Sequence, residues 1–115
     1  IDRIIDVFPA EQQEQVRAQL ASTLRGIVSL RLLRKISGGR IPACEVLIAN
    51  PAVSAVIREK RTHEIDMIIS TSREEGMQSL NHSLADLVKK KEVSFEEALR
   101  YSLRPKELRL LLGRM

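Results

Sequence analysis

The sequence predicts a mainly helical fold carrying one β-hairpin. Three observations lead there. Apolar residues recur at helical spacing through most of the chain. A Gly38-Gly39 pair precedes a segment of alternating residues, Ile41 to Ile48. Asn, Ser and Pro punctuate the second half where helices would begin. At 115 residues, 43% apolar and 30% charged, the composition is that of an ordinary globular domain. Aromatics make up only 3%, with no Trp, so the core has to be built from Leu, Ile, Val, Ala and Met.

Pro9 suits the first position of a helix, where its missing N–H is not needed. A helix is expected from Ala10 to about Leu33, with Val16, Leu20, Leu24, Ile27 and Val28 on one stripe and Gly26 inside it at a modest cost. Gly38-Gly39 tolerates the positive φ of a tight turn. In the strand that follows, Ile41, Ala43, Glu45 and Leu47 share one face, and Pro42, Cys44, Val46 and Ile48 share the other. Both faces are mostly apolar, so cover is expected on both sides. Two strands alone rarely make a stable sheet, which points to a missing partner surface.

Asn50-Pro51 reads as an N-cap followed by proline at the first helical position, opening a helix to about Lys60. A second helix is expected from Thr62 to Glu75, ending at Gly76, and a third from Gln78 to Lys91 that buries Leu80, Leu84, Leu87 and Val88. Ser94 with Glu97 forms a capping box for a short helix through Tyr101. Pro105 opens a last one carrying Leu108, Leu111 and Leu112.

Several function classes are excluded. No apolar run approaches the roughly 20 residues that span a bilayer, so direct membrane insertion is not expected. The net charge is +4, but basic residues are interleaved with acids and no aromatic platform accompanies them, so nucleic acid is not an expected partner. His63, His82 and the single Cys44 lack the paired spacings of a metal site. One cysteine makes no internal disulfide, and the cytoplasm is the expected compartment. Gly38-Gly39-Arg40 leads into a strand and not a helix, which argues for a turn over a phosphate cradle. Ser94, Glu96 and Glu97 have no nucleophile or histidine beside them, so no catalytic residue is assigned. Glu45, an acid in an apolar strand, needs a partner, and Lys35 or Arg40 across the hairpin could supply it.

A set of short segments, in order, carries a family resemblance: Ile1-Asp2-Arg3-Ile4-Ile5-Asp6-Val7-Phe8-Pro9, Gln15-Val16-Arg17, Leu32-Leu33-Arg34-Lys35-Ile36, Gly38-Gly39-Arg40, Ile57-Arg58-Glu59 and Gly76-Met77-Gln78-Ser79-Leu80. Together they resemble the C-terminal domain of type IV pilus retraction ATPases, the PilT-type twitching motors of the secretion ATPase superfamily. From about Arg104 the match is poor. Pilus-assembly and type II secretion ATPases, the nearest alternative, usually carry paired CxxC motifs where this chain has Lys35-Ile36-Ser37-Gly38-Gly39-Arg40. A free-standing helical interaction module is the alternative from another class.

The resemblance implies the C-terminal part of a RecA-like P-loop ATPase fold. Residues 1–48 would close the ATPase core as a long helix plus hairpin, and residues 49–115 would form a C-terminal helical bundle. The phosphate loop, acidic boxes and His box of such motors are not in this chain. ATP and magnesium would therefore belong to the parent protein, and this part alone would be non-catalytic. The implied partners are further copies in a homohexameric ring and the platform protein of the pilus. The implied location is cytoplasmic, peripheral to the inner membrane at the pilus base. The segment Ala52-Val53-Ser54-Ala55-Val56-Ile57-Arg58-Glu59 aligns with a family motif tied to retraction, A-I-R-N-L-I-R-E. Ala52, Ile57, Arg58 and Glu59 match it, while Ser54 and Ala55 replace its Arg and Asn.

Overall fold

A hairpin with helices gathered on one of its faces is the architecture of the computed structural model, which describes residues 1–114. The order is α1 (Asp2–Asp6), α2 (Ala10–Thr23), β1 (Gly26–Arg34), β2 (Arg40–Ile48), α3 (Pro51–Arg58), α4 (Ile65–Thr71), α5 (Leu80–Lys89), α6 (Phe95–Tyr101) and α7 (Pro105–Leu111). Short 3₁₀ turns at Thr62–Glu64 and Arg73–Glu75 flank α4. Among the described residues no helix is long and apolar enough to cross a membrane.

The helix expected from Ala10 to Leu33 ends at Thr23. The chain turns extended at Leu24 and enters β1, pairing antiparallel with β2 from Gly26↔Ile48 to Arg34↔Arg40. Two features explain the change. Val28-Ser29-Leu30-Arg31-Leu32 alternates with the period of a strand. Gly26 is also required by packing, since a Cβ there would lie 2.9 Å from the Leu47 carbonyl oxygen. The turn forms as expected: Gly38 and Gly39 have φ of 100° and 77°, and Gly38 N–H donates to the Lys35 carbonyl.

One face of the hairpin seats two cores. Near the turn, Leu33 and Ala43 pack with Leu84 of α5, Ala98 of α6 and Leu108 of α7. Near the open end, Leu47 packs with Ala21 of α2, Val53 and Ile57 of α3 and Ile69 of α4. The outer edge of β2 is closed by Gln78, which exchanges backbone hydrogen bonds with Val46 at 2.8 and 3.1 Å, and by the Ser83 hydroxyl, which accepts from Cys44 N–H. Pro42 falls on this same outward-facing set, where its missing N–H leaves no gap in the ladder.

Cover was expected on both faces of β2, and on the other face it is partial: Cys44, Val46 and Ile48 are half-buried, while Pro42 is exposed. The β1 part of that face is open. Val28, Leu30 and Leu32 project from it at 64%, 54% and 52% exposure. The outer edge of β1 is also open along most of its length. Arg34 N–H points away from β2, to the Glu97 carboxylate at 2.8 Å, and by antiparallel alternation the amides of Leu32, Leu30 and Val28 point the same way. The molecule is correspondingly elongated. Its radius of gyration is 16.3 Å, against roughly 13 Å for a compact domain near this size.

The helix expected over Thr62–Glu75 is broken into α4 and its two flanking turns, with Gly76 at φ 95° closing the last. The capping box at Ser94 is half-made. Its hydroxyl accepts from Glu97 N–H, but the Glu97 carboxylate is spent on the β1 edge at Arg34.

Leu84 is fully buried at the centre of the core near the turn. Leu84→Asp loses that side chain and buries an unpaired carboxylate, so it should destabilise the protein by about 3–5 kcal/mol. The denaturant midpoint should fall accordingly; an unchanged midpoint would place Leu84 outside the core.

Candidate functional site

Helix α3 and its C-cap hold the four residues singled out from the sequence: Ala52, Ile57 and Arg58 within the helix and Glu59 at the cap. The helix forms because Asn50, extended at φ −97° and ψ 177°, accepts the Val53 N–H on its side-chain oxygen at 2.9 Å, and Pro51 follows at the first helical position. The Asn50 amide also donates to Glu75 at 3.3 Å, tying the cap to the turn before Gly76. Val53, Val56 and Ile57 face the core, at 0%, 3% and 0% exposure. Ala52 is exposed in the first turn, and Arg58 and Glu59 are exposed at the last. Seven residues apart, Ala52 and Glu59 lie on one face about 10 Å from each other. The four residues therefore do not converge on one point: Ile57 anchors, and the other three mark the two ends of an exposed face.

The C-terminal end of α3 is the more elaborate. Lys60 takes a left-handed φ of 62°, its N–H donating to the Ile57 carbonyl and Arg61 N–H to the Val56 carbonyl at 2.7 Å. This is the Schellman closure, with lysine where glycine is usual. The same closure with Lys91 (φ 60°) ends α5. Beyond it, Arg61 bridges Glu59 at 3.3 Å and Glu64 at 2.8 Å. The hydrogen bond to Glu64, and secondarily the charges of Glu64 and Glu59, raise the Arg61 pKa. A guanidinium shifted further upward stays charged at every ordinary pH, so titration offers no switch here.

Arg17 stands in the matching segment Gln15-Val16-Arg17, but its role was not read from the sequence. It lies on α2 beside the stripe formed by Val16 and Leu20, and its Nη1 donates to the Ile57 carbonyl at 3.3 Å. Its place on the rim of that stripe was the available signal. No sequence feature marks the left-handed Lys60.

Glu45 finds neither Lys35 nor Arg40. Lys35 pairs with Glu92 at 3.5 Å, and Glu45 accepts from Leu80 N–H at 3.4 Å, at the first turn of α5. A carboxylate is favoured there by the helix dipole and by unpaired N–H groups. Glu45 also lies on the floor of an open cleft of about 560 Å³ bounded by Asp2, Lys60, His63 and Asp66. No group of three potential metal ligands occurs among the described residues. Among the described residues no nucleophile, base and orienting group are hydrogen-bonded to one another.

Comparison with known proteins identifies what the chain resembles. A twitching motility protein of Neisseria gonorrhoeae is 42% identical over 101 residues, covering 87% of this chain and 27% of that protein. The type IV pilus retraction ATPase PilT of Pseudomonas aeruginosa is 42% identical over 98 residues, covering 85% and 28%. The crystal structure of the pilus retraction motor PilT with bound ADP superposes with a TM-score of 0.76 at 42% identity, over 92% of this chain and 29% of that one. No protein-family model matches. The likeness to pilus retraction ATPases read from the short segments is thus shown across most of the chain, which spans 27–28% of the length of these curated relatives.

Asn50 is the local determinant of where α3 starts. Asn50→Ala should cost about 1 kcal/mol of stability through the lost cap. Calorimetry would register this as a lowered melting temperature; no change would mean that the proline and tertiary packing alone set the helix start.

Proposed function

We propose that this chain, taking its likeness to pilus retraction motors as the premise, is the C-terminal part of a ring-forming cytoplasmic ATPase that drives type IV pilus retraction and twitching. Residues 1–48 close a RecA-like core and residues 49–115 form the helical bundle behind it. ATP and magnesium are held by the remainder of the parent protein, and this part supplies subunit contacts and transmits motion to the pilus platform at the inner membrane.

One observation carries this reading. A chain 42% identical to retraction motors over most of its length presents a hairpin whose apolar face and strand edge are both left open. Three large aliphatic side chains exposed side by side cost solubility in a protein that works alone. An unpaired strand edge beside them invites strand addition. Both features are accounted for if the parent's sheet continues past β1 and packs on Val28, Leu30 and Leu32. The helical bundle lies on the opposite face, so its exposed surfaces remain available to partners.

Within that bundle the end of α3 is the contact we assign to retraction. Arg58 and Glu59 are exposed beyond a buried Ile57, so removing their charges should cost under about 1 kcal/mol of stability. In the full-length motor, the double change Arg58→Ala, Glu59→Ala should leave ATP hydrolysis near normal and severely reduce twitching. Normal twitching by that variant would remove this helix end from the mechanism, and loss of folding would make its role structural.

A further inference from the structure

The end of α3 is held from one side by the chain's first helices. Three polar contacts make the connection. Arg17 on α2 donates to the Ile57 carbonyl at 3.3 Å. Glu14, one turn earlier, faces Lys60 at 3.8 Å. Thr62 donates its hydroxyl to the Asp2 carboxylate on α1 at 2.9 Å. These land on residues 57, 60 and 62, bracketing Arg58 and Glu59. Apolar packing backs them, since Ala21 and Leu24 share a cluster with Val53 and Ile57, and Ile5 of α1 is fully buried.

Arg17 differs from its two companions. Glu14 and Lys60 are largely exposed, with side chains at 87% and 62%, and an exposed pair of this kind contributes little. Arg17 is partly buried, and its Nε is a buried donor with no partner among the described residues. A leucine or methionine would fill that space without leaving an orphan donor, so packing alone does not account for an arginine. The guanidinium does supply a positive charge at the C-terminal end of α3, where helix carbonyls lack partners and the dipole favours a cation.

We propose that Arg17 is a positioning residue: it fixes the C-terminal end of α3 against α2 and so sets the bearing of Arg58 and Glu59 toward their partner. Motion of the α1–α2 arm is then delivered directly to the exposed end of α3. The inference rests on the retraction reading of Arg58 and Glu59 given above.

The test uses the full-length motor and three variants: Arg17→Met, Arg58→Ala with Glu59→Ala, and all three changes together. Arg17→Met keeps the stem and removes the guanidinium. The expected result is ATP turnover close to wild type, twitching strongly reduced, and no further loss when the changes are combined. Partial recovery with Arg17→Lys, which restores a cation and a donor, is also expected. Normal twitching with Arg17→Met would overturn the proposal, as would losses that add independently to those of the Arg58, Glu59 variant. If Arg17→Met prevents folding, Arg17→Gln, too short to reach Ile57, carries the test with the same outcomes; if both prevent folding, Arg17 is a core residue and the proposal fails. If the Arg58, Glu59 variant itself twitches normally, the retraction reading fails and takes this inference with it. An impaired Arg58, Glu59 variant beside a normal Arg17 variant overturns the inference alone.

Discussion

Antiparallel pairing of β1 with β2 is the constraint on which the rest of the structure depends. The hairpin's inner face contributes to both cores: Leu33 and Ala43 serve the helices α5 to α7, and Leu47 serves α2 to α4. A shift of register by one residue would turn these side chains outward and present Val28, Leu30 and Leu32 to the bundle instead. The register is pinned at both ends. At one end Gly38 and Gly39 accept the positive φ of the turn; at the other, only glycine at position 26 clears the Leu47 carbonyl. The outer edge of β2 is then completed by Gln78 and Ser83, which aligns α5, while Glu45 on the inner face meets the first N–H of that helix. The helical part of the molecule is thus placed by a strand pair that would be marginal alone.

Much of this was legible in the sequence, for identifiable reasons. Caps and prolines are local signals, and the helices opened by Asn50-Pro51, Ser94 and Pro105 lie where those residues put them. The Gly-Gly turn is equally local. The region from Leu24 to Leu33 was misread because Leu24, Ile27 and Val28 fit a helical stripe, while the alternation from Val28 to Leu32 fits a strand. Tertiary pairing with β2 decided between them, and local pattern does not contain that information. The partners of Glu45 and Arg17 were hidden for the same reason. They are backbone groups 35 and 40 residues away, at Leu80 N–H and the Ile57 carbonyl. Cover was anticipated for both faces of β2 alone; the exposure of Val28, Leu30 and Leu32 on β1 is what the structure adds.

The two sides of the sheet divide the proposed labour. The bundle side is closed by its own cores and exposes the end of α3, a short capped helix steadied by α2. The opposite side exposes aliphatic residues and an open strand edge. In the proposed motor the first side faces partners and the second faces the ATPase core, with the hairpin as the common wall. Coupling through such an arrangement requires a rigid wall, and nine paired positions in the register supply one. Energetic coupling between sites on its two sides then needs no residue that touches both.

Amide hydrogen exchange across β1 tests this most directly. The account predicts that in the isolated chain the amides of Val28, Leu30 and Leu32, which point away from β2, exchange rapidly, while those of Ile27, Ser29 and Arg31 are protected by the ladder. In the full-length motor the outward set should become as protected as the inward set, because a further strand covers the edge. Outward amides that exchange equally fast in both would leave the edge open in the motor and contradict the placement of the ATPase core on this side of the hairpin.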